Sequence, residues 1–183
     1  MANVLVPLAQ GCEELEAVTV IDLLRRASIN VVTASLADKV IQASRGVTLV
    51  ADMTLDEALQ QDYDMVVLPG GLPGADHLDE DPRLADLLVT MANSEKFTAA
   101  ICAAPKVLAS KGILSGKQAT SYPGVLEAMQ LEGVTLKEDA VVTDGRVITS
   151  RGPGTAMDFA LTLISTLVGD KIRMEVEAGL QRT

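Results

Sequence analysis

Short apolar runs alternate along the chain with longer segments in which apolar residues recur every three or four positions. The runs predict β-strands over residues 4–6, 29–34, 65–68, 97–101, 140–143 and 147–149. Several runs are too continuously apolar for a sheet that faces water on one side. The segments between them predict amphipathic helices, with stripes formed by Ala17, Val20, Ile21, Leu24 and Ser28 in the first and by Ala156, Phe159, Ala160, Leu163 and Leu167 in a later one.

Local signals mark turns and helix starts. Asp144-Gly145 between two β runs predicts a tight hairpin, and therefore some antiparallel pairing. Thr54 with Glu57, and Thr155 with Asp158, each place a hydroxyl three residues before a carboxylate, which predicts two capping boxes. Strands that alternate with helices, with this one hairpin, predict an α/β fold: a mostly parallel sheet sandwiched by helices. No linker or repeat interrupts the pattern, so residues 1–183 are interpreted as a single domain.

Composition narrows the classes of protein that fit. Of 183 residues, 48% are hydrophobic and 22% are charged, as in globular domains, and this excludes a disordered chain. The formal net charge of -10 repels phosphate backbones, so binding to a nucleic-acid duplex is not expected. No apolar stretch reaches the length of a membrane span, and two cysteines form no disulfide framework. We therefore predict a cytoplasmic protein that does not bind membranes.

Cys102 directly follows the predicted strand at residues 97–101 and precedes a predicted helix from about residue 103 to 111. At such a strand-to-helix turn, free backbone amides and the positive end of the helix dipole favour a thiolate. The small neighbours Ala103 and Ala104 permit a sharp, strained turn, and Pro105 is tolerated in a first helical turn. The alternative is a buried, inert cysteine, which is common in apolar surroundings.

Two other loops leave the carboxyl ends of predicted strands, where parallel sheets bind ligands. Amides near Cys102, together with those of Gly70 and Gly71, are candidates for an oxyanion pocket, although an ordinary loop turn also explains this glycine pair. Glu16 lies in the first turn of the first helix, where the helix dipole alone explains an acidic residue. A partly buried carboxyl there would instead stay protonated and donate a hydrogen bond to a thiolate.

The remaining chemically versatile residues carry weaker predictions. His77 lies in an acidic, loop-like stretch and is interpreted as a solvated residue. No cluster of cysteine and histidine indicates a metal site, so no metal is expected. Cys12 is placed at the same sheet edge as Cys102, which leaves open a regulatory disulfide or a non-reactive packing residue.

Taken together, several segments resemble the ThiJ/PfpI superfamily, in the branch of the Parkinsonism-associated protein deglycase and bacterial YajL. The resemblance spans nearly the whole chain. It rests on Gly11-Cys12-Glu13-Glu14-Leu15-Glu16, Ile21-Asp22-Leu23-Leu24-Arg25-Arg26, Ser44-Arg45-Gly46-Val47, Val67-Leu68-Pro69-Gly70-Gly71, Ala99-Ala100-Ile101-Cys102-Ala103-Ala104-Pro105 and Thr149-Ser150-Arg151-Gly152-Pro153-Gly154-Thr155. It implies a flavodoxin-like three-layer α/β/α sandwich and a homodimer.

The resemblance also implies roles for individual residues. Cys102 is the expected oxidation-sensitive nucleophile on a nucleophile elbow, hydrogen-bonded to a protonated Glu16, and Gly71 and Ala103 are the expected oxyanion-binding amides. Gly70, Tyr122, Arg26 and Arg45 are expected near the pocket or the dimer interface, where surface charges are the alternative explanation for the two arginines. Two departures from related patterns stand out, because Ala103 replaces the histidine of peptidase members and Tyr122 replaces a pocket histidine.

The function implied is protection against oxidative and carbonyl stress through a reactive cysteine. The expected chemistry is that of a cofactor-independent glyoxalase or deglycase acting on methylglyoxal or on glycated protein and nucleotide, and not that of a peptidase or glutaminase. A non-enzymatic redox sensor, in which Cys102 is oxidised to a sulfinic acid, or a redox-regulated chaperone remains the alternative.

Overall fold

The apolar runs assemble into a central sheet with helices on both faces. The computed structural model describes residues 1–182; Thr183, the last residue of the predicted domain, lies outside the described residues. Over that range the strands are β1 (Asn3–Leu8), β2 (Asn30–Ser35), β3 (Val40–Gln42), β4 (Thr48–Val50), β5 (Met53–Thr54), β6 (Met65–Leu68), β7 (Phe97–Ile101), β8 (Gln118–Ala119), β9 (Thr135–Leu136), β10 (Val141–Asp144) and β11 (Val147–Ser150). The helices are α1 (Glu14–Arg26), α2 (Leu55–Ala58), α3 (Gly74–Glu80), α4 (Pro82–Asn93), α5 (Pro105–Ser110), α6 (Ala156–Val168) and α7 (Asp170–Gly179).

The main sheet has the strand order β10-β11-β7-β6-β1-β2-β5. Its pairings are parallel except for that of β10 with β11, so the prediction of a mostly parallel sheet with one small antiparallel hairpin is confirmed. Asp144 pairs with Val147, which makes Gly145 and Arg146 the loop residues of the hairpin. Gly145 takes a φ of 61°, a left-handed conformation that glycine adopts without steric cost.

Every predicted strand lies in this sheet. The sequence analysis did not predict β3, β4, β5, β8 and β9, which are two or three residues long and mostly exposed or half-buried. Such short segments carry too few residues to show a period of two. Of these, β8 and β9 pair in parallel as a separate two-stranded sheet.

Side chains of the central strands alternate between two apolar layers. On one face, Val4 and Val6 of β1 pack with residues of α1 and α6. On the other face, Leu5 packs with residues of α4 and α5. Because both faces are covered, β1 and β6 have almost no polar positions, which explains the continuous apolar runs.

The predicted helical stripes are confirmed over most of their length. In α1, Ala17, Val20 and Leu24 are buried, but the helix ends at Arg26. Ser28 was wrongly placed on that stripe: it lies beyond the helix with a φ of 58° and faces solvent. In α6, Ala156, Phe159, Ala160 and Leu163 of the predicted stripe are buried, whereas Leu167 is only partly buried. The neighbouring Ile164 is also buried.

One of the two predicted capping boxes forms. Thr54 and Glu57 cap α2 reciprocally, with Glu57 Oε2 accepting a hydrogen bond of 2.7 Å from the Thr54 amide. The box predicted for Thr155 and Asp158 is wrong, because the Thr155 hydroxyl instead accepts from the Gly152 amide at 3.1 Å. The chain forms a short 3-10 helix over Pro153–Thr155 before α6. The Thr155 hydroxyl therefore lies next to the preceding Gly152 and does not cap the first turn of α6.

No helix within residues 1–182 is long and apolar enough to cross a membrane.

Candidate active site

Three adjacent strands of the sheet deliver the predicted site residues to one edge. Glu16 lies in the first turn of α1, which follows β1, while Gly70 follows β6 and Cys102 follows β7. In the sheet β6 lies between β1 and β7, so the carboxyl ends of these parallel strands bring the three loops together. The expected convergence at this edge is therefore observed.

Cys102 forms a sharp turn between β7 and α5. Its φ of 63° lies in the left-handed region, which is strained for a residue with a side chain. Two hydrogen bonds hold this conformation: the Cys102 amide donates to the Ser150 carbonyl at 3.0 Å, and the Cys102 carbonyl accepts from the Tyr122 amide at 2.8 Å. The strained turn agrees with the prediction, although α5 spans only Pro105–Ser110 rather than residues 103–111.

Gly70 allows the side chains of Cys102 and Glu16 to meet. A Cβ atom at this position would lie 2.6 Å from the Cβ of Cys102 and 2.8 Å from Glu16 Oε2, which leaves no room for any side chain. The Gly70 amide donates a hydrogen bond of 2.8 Å to Glu16 Oε2. This amide is therefore not available for an oxyanion, contrary to the expectation that both glycine amides contribute to such a pocket.

The backbone amides of Gly71 and Ala103 instead lie near the sulfur of Cys102 and favour its ionised form. Gly71 has a φ of 86°, and a Cβ atom there would lie 2.4 Å from the backbone nitrogen of Glu13. Only glycine fits both this conformation and this close approach. The sulfur is thus contacted by the two donors that the sequence analysis selected.

Burial raises the pKa of Glu16 to about 7. The side chain is completely buried, and its Oε1 atom has no hydrogen-bond partner among the described residues. Hydrogen bonds from the Gly70 amide and the Cys102 thiol favour the ionised form but do not outweigh desolvation. A carboxyl with this pKa is able to hold or release a proton near neutral pH.

Burial also raises the pKa of the Cys102 thiol, to about 12, and the neighbouring charge of Glu16 adds to the effect. This opposes the expected thiolate, and desolvation, the largest cause, does so whether or not Glu16 is ionised. When Glu16 is protonated, its contribution disappears and the amides of Gly71 and Ala103 still favour a thiolate. Because two charges in one buried space repel each other, the pair loses at most one proton over the physiological pH range, and that proton leaves Glu16 as the pH rises through about 7.

The other predicted pocket residues lie at different distances from this pair. The Tyr122 amide binds the Cys102 carbonyl, and the half-exposed Tyr122 ring lies against Gly152. Arg45 is exposed, and its backbone amide donates to Glu14 at 3.0 Å. Arg26 is not near the site: it ends α1, about 15 Å along the helix from Glu16, and pairs with Asp22.

Cys12 and His77 take no part in the contact between Cys102 and Glu16. Cys12 is a fully buried free thiol, and burial together with the charge of Glu14 raises its pKa to about 11. His77 lies on α3 and not in a loop, so that part of the interpretation is wrong, although it is exposed as expected. It lines a cavity of about 400 Å³ with Gln10, Asp38 and Glu80, next to the ends of β1 and β2.

Sequence reasoning missed the contribution of Ser150 to this site. The Ser150 carbonyl accepts a hydrogen bond from the Cys102 amide, because β11 pairs in parallel with β7 and ends beside the turn at Cys102. The available signals were its position directly after the predicted strand at residues 147–149 and its place in a segment that resembles the family. Among residues 1–182, no group of three or more histidine, cysteine, aspartate or glutamate side chains is arranged to hold a metal ion.

The sequence model of the DJ-1/PfpI family matches residues 2–166 of the chain. Protein DJ-1 homolog B of Arabidopsis thaliana is 46% identical over 181 residues, which are 98% of this chain but only 40% of that protein. The Parkinson disease protein 7 homolog of Danio rerio is 43% identical over 96% of this chain and 95% of its own length. The glutathione-independent glyoxalase DJR-1.2 of Caenorhabditis elegans is 36% identical over 92% of this chain and 89% of its own length.

The fold has close counterparts among solved structures. The crystal structure of Drosophila melanogaster DJ-1beta superposes with a TM-score of 0.95 at 41% identity, covering 100% of this chain and 98% of that one. The oxidised DJ-1 of Toxoplasma gondii gives a TM-score of 0.92 at 37% identity and covers 98% of each chain. The flavodoxin-like architecture is therefore confirmed.

The raised pKa of Glu16 predicts a pH-dependent cost in stability. Unfolded, this carboxyl ionises near its ordinary pKa of about 4.3, whereas in the fold it ionises near 7. The protonated form thus stabilises the fold fully below about pH 4.3, and that contribution is lost as the pH rises to 7. Glu16→Gln, which never ionises, should exceed the wild type by about 3 kcal/mol in free energy of unfolding at pH 8.

Urea denaturation of both proteins between pH 4 and 8 measures this difference. Glu175→Gln, which changes an exposed carboxyl on α7, is the matched control and should follow the wild type. A constant difference between Glu16→Gln and the wild type at every pH would contradict the raised pKa.

Proposed function

The chain belongs to the DJ-1/PfpI family, and we propose that it protects against carbonyl stress by converting methylglyoxal to lactate at Cys102. The observation that carries this proposal is the buried contact between Cys102 and Glu16, with the amides of Gly71 and Ala103 directed at the sulfur. The Caenorhabditis elegans relative is named as a glutathione-independent glyoxalase, which supports the same reaction class.

The first step is addition of the Cys102 sulfur to the aldehyde carbon. Glu16 takes the thiol proton as the carbon–sulfur bond forms, so that the buried pair still carries one negative charge. The Gly71 and Ala103 amides stabilise the developing oxyanion, which then takes the proton from Glu16 to become the hydroxyl of a hemithioacetal and leaves Glu16 as a carboxylate. A base works best when its pKa lies near the working pH, and the pKa of about 7 for Glu16 meets that condition.

In the second step a proton moves between adjacent carbons. The Glu16 carboxylate removes the proton from the former aldehyde carbon and returns a proton to the neighbouring carbon, while the hydroxyl proton passes to the former ketone oxygen, which gives a thioester of lactate. Water then attacks the thioester carbonyl, and lactate leaves as the Cys102 thiol is restored. Methylglyoxal and water thus yield lactate: one carbon is oxidised and its neighbour is reduced, so no external electron carrier is needed.

The accessibility of the thiol favours a small substrate. Cys102 is only 9% exposed, so a free aldehyde reaches its sulfur more readily than an aldehyde adduct on a folded protein. Deglycation of protein or nucleotide would use the same nucleophile and base but requires the adduct to enter this narrow space. Peptide hydrolysis is disfavoured, because Ala103 provides no base and His77 is on another helix.

We also propose that the chain acts as a homodimer. Leu15 and Val18 are about half exposed on the outer face of α1, although they are apolar. Val47 is equally exposed, and its amide donates to Glu14 at 3.4 Å, so the three side chains belong to one region. A patch of this kind fits a surface covered by a second copy.

Purified protein should form lactate from methylglyoxal without glutathione or added metal. Cys102→Ala should abolish this activity because the nucleophile is lost. Glu16→Gln should lower kcat by at least about 100-fold, the usual contribution of a general base. Cys12→Ala is the matched control and should keep the wild-type rate, since Cys12 lies outside the Cys102–Glu16 contact. Unchanged turnover in Glu16→Gln would refute the proton transfers described above.

The pH profile of lactate formation tests the protonation state of the pair. Because addition requires Glu16 to accept a proton, kcat/KM should rise as the pH increases through about 7. Initial rates between pH 5.5 and 8.5 would locate this acid limb. A rate that is already maximal at pH 5.5 would assign the proton acceptor to another group.

Redox sensing is the second candidate function, supported by the environment of the sulfur. One peroxide molecule oxidises the thiol to a sulfenic acid and releases water, and a second gives the sulfinic acid. The amides of Gly71 and Ala103 would donate hydrogen bonds to the new oxygen atoms, and a protonated Glu16 would donate another. A chaperone role would require protection of client proteins in the absence of aldehydes.

Mild peroxide should add two oxygen atoms to Cys102 before it modifies Cys12. Cys12 is fully buried, whereas Cys102 keeps limited access to solvent. Peptide mass spectrometry over a peroxide series would give the order of oxidation, with Cys102→Ala as the control for the peptide assignment. Oxidation of Cys12 first would reject Cys102 as the sensor.

A further inference from the structure

A small enclosed cavity lies at a second convergence of strand ends. Its volume is about 80 Å³, and it is bounded by residues that follow β8, β9 and β11. The β8–β9 pair is parallel, so both of its carboxyl ends open towards the same place as the end of β11. Carboxyl ends of parallel strands are where α/β folds bind ligands.

Each of these three strands is followed directly by a hydrogen-bond donor. Thr120 follows β8, Lys137 follows β9 and Arg151 follows β11, and all three line the cavity. Backbone contacts fix their relative positions: the Thr120 amide donates to Thr149 Oγ1 at 2.9 Å, and the Lys137 amide donates to the Ala119 carbonyl at 2.9 Å. The arrangement therefore offers donors on three sides.

The hydroxyl of Thr120 lacks a partner. Thr120 is 2% exposed, yet its Oγ1 makes no hydrogen bond to any residue that the structure describes. Over residues 1–182, Glu16 Oε1 is the only fully sealed side-chain oxygen or nitrogen without a hydrogen-bond partner, so the unpartnered Thr120 Oγ1 is not sealed off. The hydroxyl therefore retains contact with the cavity. A buried hydroxyl without a partner is costly, and a ligand oxygen would satisfy it.

The two cations lack counter-charges at close range. No carboxylate of residues 1–182 lies within 4 Å of the charged nitrogens of Lys137 or Arg151. Arg151 is nevertheless held in place, because its Nη1 donates to the Glu138 carbonyl at 2.8 Å. The remaining guanidinium donors are free to bind a ligand, and their planar geometry matches a carboxylate.

Two carboxylates at the cavity limit the charge that it accepts. Glu127 Oε2 accepts a hydrogen bond of 3.0 Å from the Gly124 amide, so this oxygen already has a partner within its local turn. Glu138 is exposed and forms no ion pair with a described residue. Although neither lies within 4 Å of the cationic nitrogens, these carboxylates reduce the positive charge of the site, which therefore favours a monoanion over a dianion such as phosphate.

We propose that this cavity binds a small carboxylate monoanion, held by the Arg151 guanidinium, the Lys137 ammonium and the Thr120 hydroxyl. A volume of about 80 Å³ suits an acid of a few atoms and excludes a nucleotide or a lipid headgroup. The site is separate from the Cys102–Glu16 pair, so it goes beyond the proposed reaction and does not require turnover. It shares one segment with that pair, because Tyr122, two residues after Thr120, binds the Cys102 carbonyl.

Titration of the ¹⁵N-labelled full chain with sodium acetate tests the proposal. The backbone amide signals of Thr120, Lys137 and Arg151 should shift and saturate, while sodium chloride at equal ionic strength should leave them in place. Sodium phosphate should bind more weakly than acetate. Sodium lactate, the anion released by the proposed reaction, should bind at the same amides if the site also accepts that product.

Variants distinguish acetate binding in this cavity from a nonspecific effect of surface charge. Arg151→Gln and the nearly isosteric Thr120→Val should each weaken acetate binding at least about tenfold, because each loses a hydrogen bond to a charged group. Lys171→Gln removes an exposed cation on α7 and should bind as the wild type does. Equal shifts with chloride, or unchanged affinity in Thr120→Val, would overturn the site. Tighter binding of phosphate would overturn its assignment to a carboxylate.

Discussion

The space left by Gly70 is the constraint on which the candidate active site depends. Cys102 and Glu16 approach from different strands and meet where any side chain at Gly70 would lie, within 2.6 Å of one and 2.8 Å of the other. The Gly70 amide also anchors the Glu16 carboxyl. The same position therefore supplies both room and orientation, so the site depends on backbone geometry as much as on its reactive side chains.

Burial of that pair couples its electrostatics to its chemistry. Desolvation raises the pKa of both groups, and a second negative charge in the same space is unfavourable. Near pH 7, Glu16 therefore takes up or releases a proton beside a thiol that stays protonated. The completely buried Glu16 also lowers the stability of the fold at higher pH, where it is ionised.

Parallel pairing explains why reactive groups collect at strand ends in this molecule. The main sheet brings the loops after β1, β6 and β7 to one edge, and the small β8–β9 pair brings Thr120 and Lys137 beside Arg151. Residues far apart in sequence thereby become neighbours without any long-range sequence signal. The strained turn at Cys102 is tolerated because Ser150 and Tyr122 fix its amide and carbonyl from both sides.

The sequence by itself determined the main strands, the stripes of α1 and α6, the hairpin and the position of Cys102 after a strand, because these depend on residues close together in the chain. It also indicated Glu16, Gly71 and Ala103, through local motifs and a family resemblance. Only the tertiary structure decided that the Gly70 amide binds Glu16, that Arg26 lies far from the site and that Thr155 bonds backwards to Gly152. Those outcomes depend on which groups other elements bring within hydrogen-bonding distance, and burial, which sets the pKa of Glu16, is a property of the packed molecule.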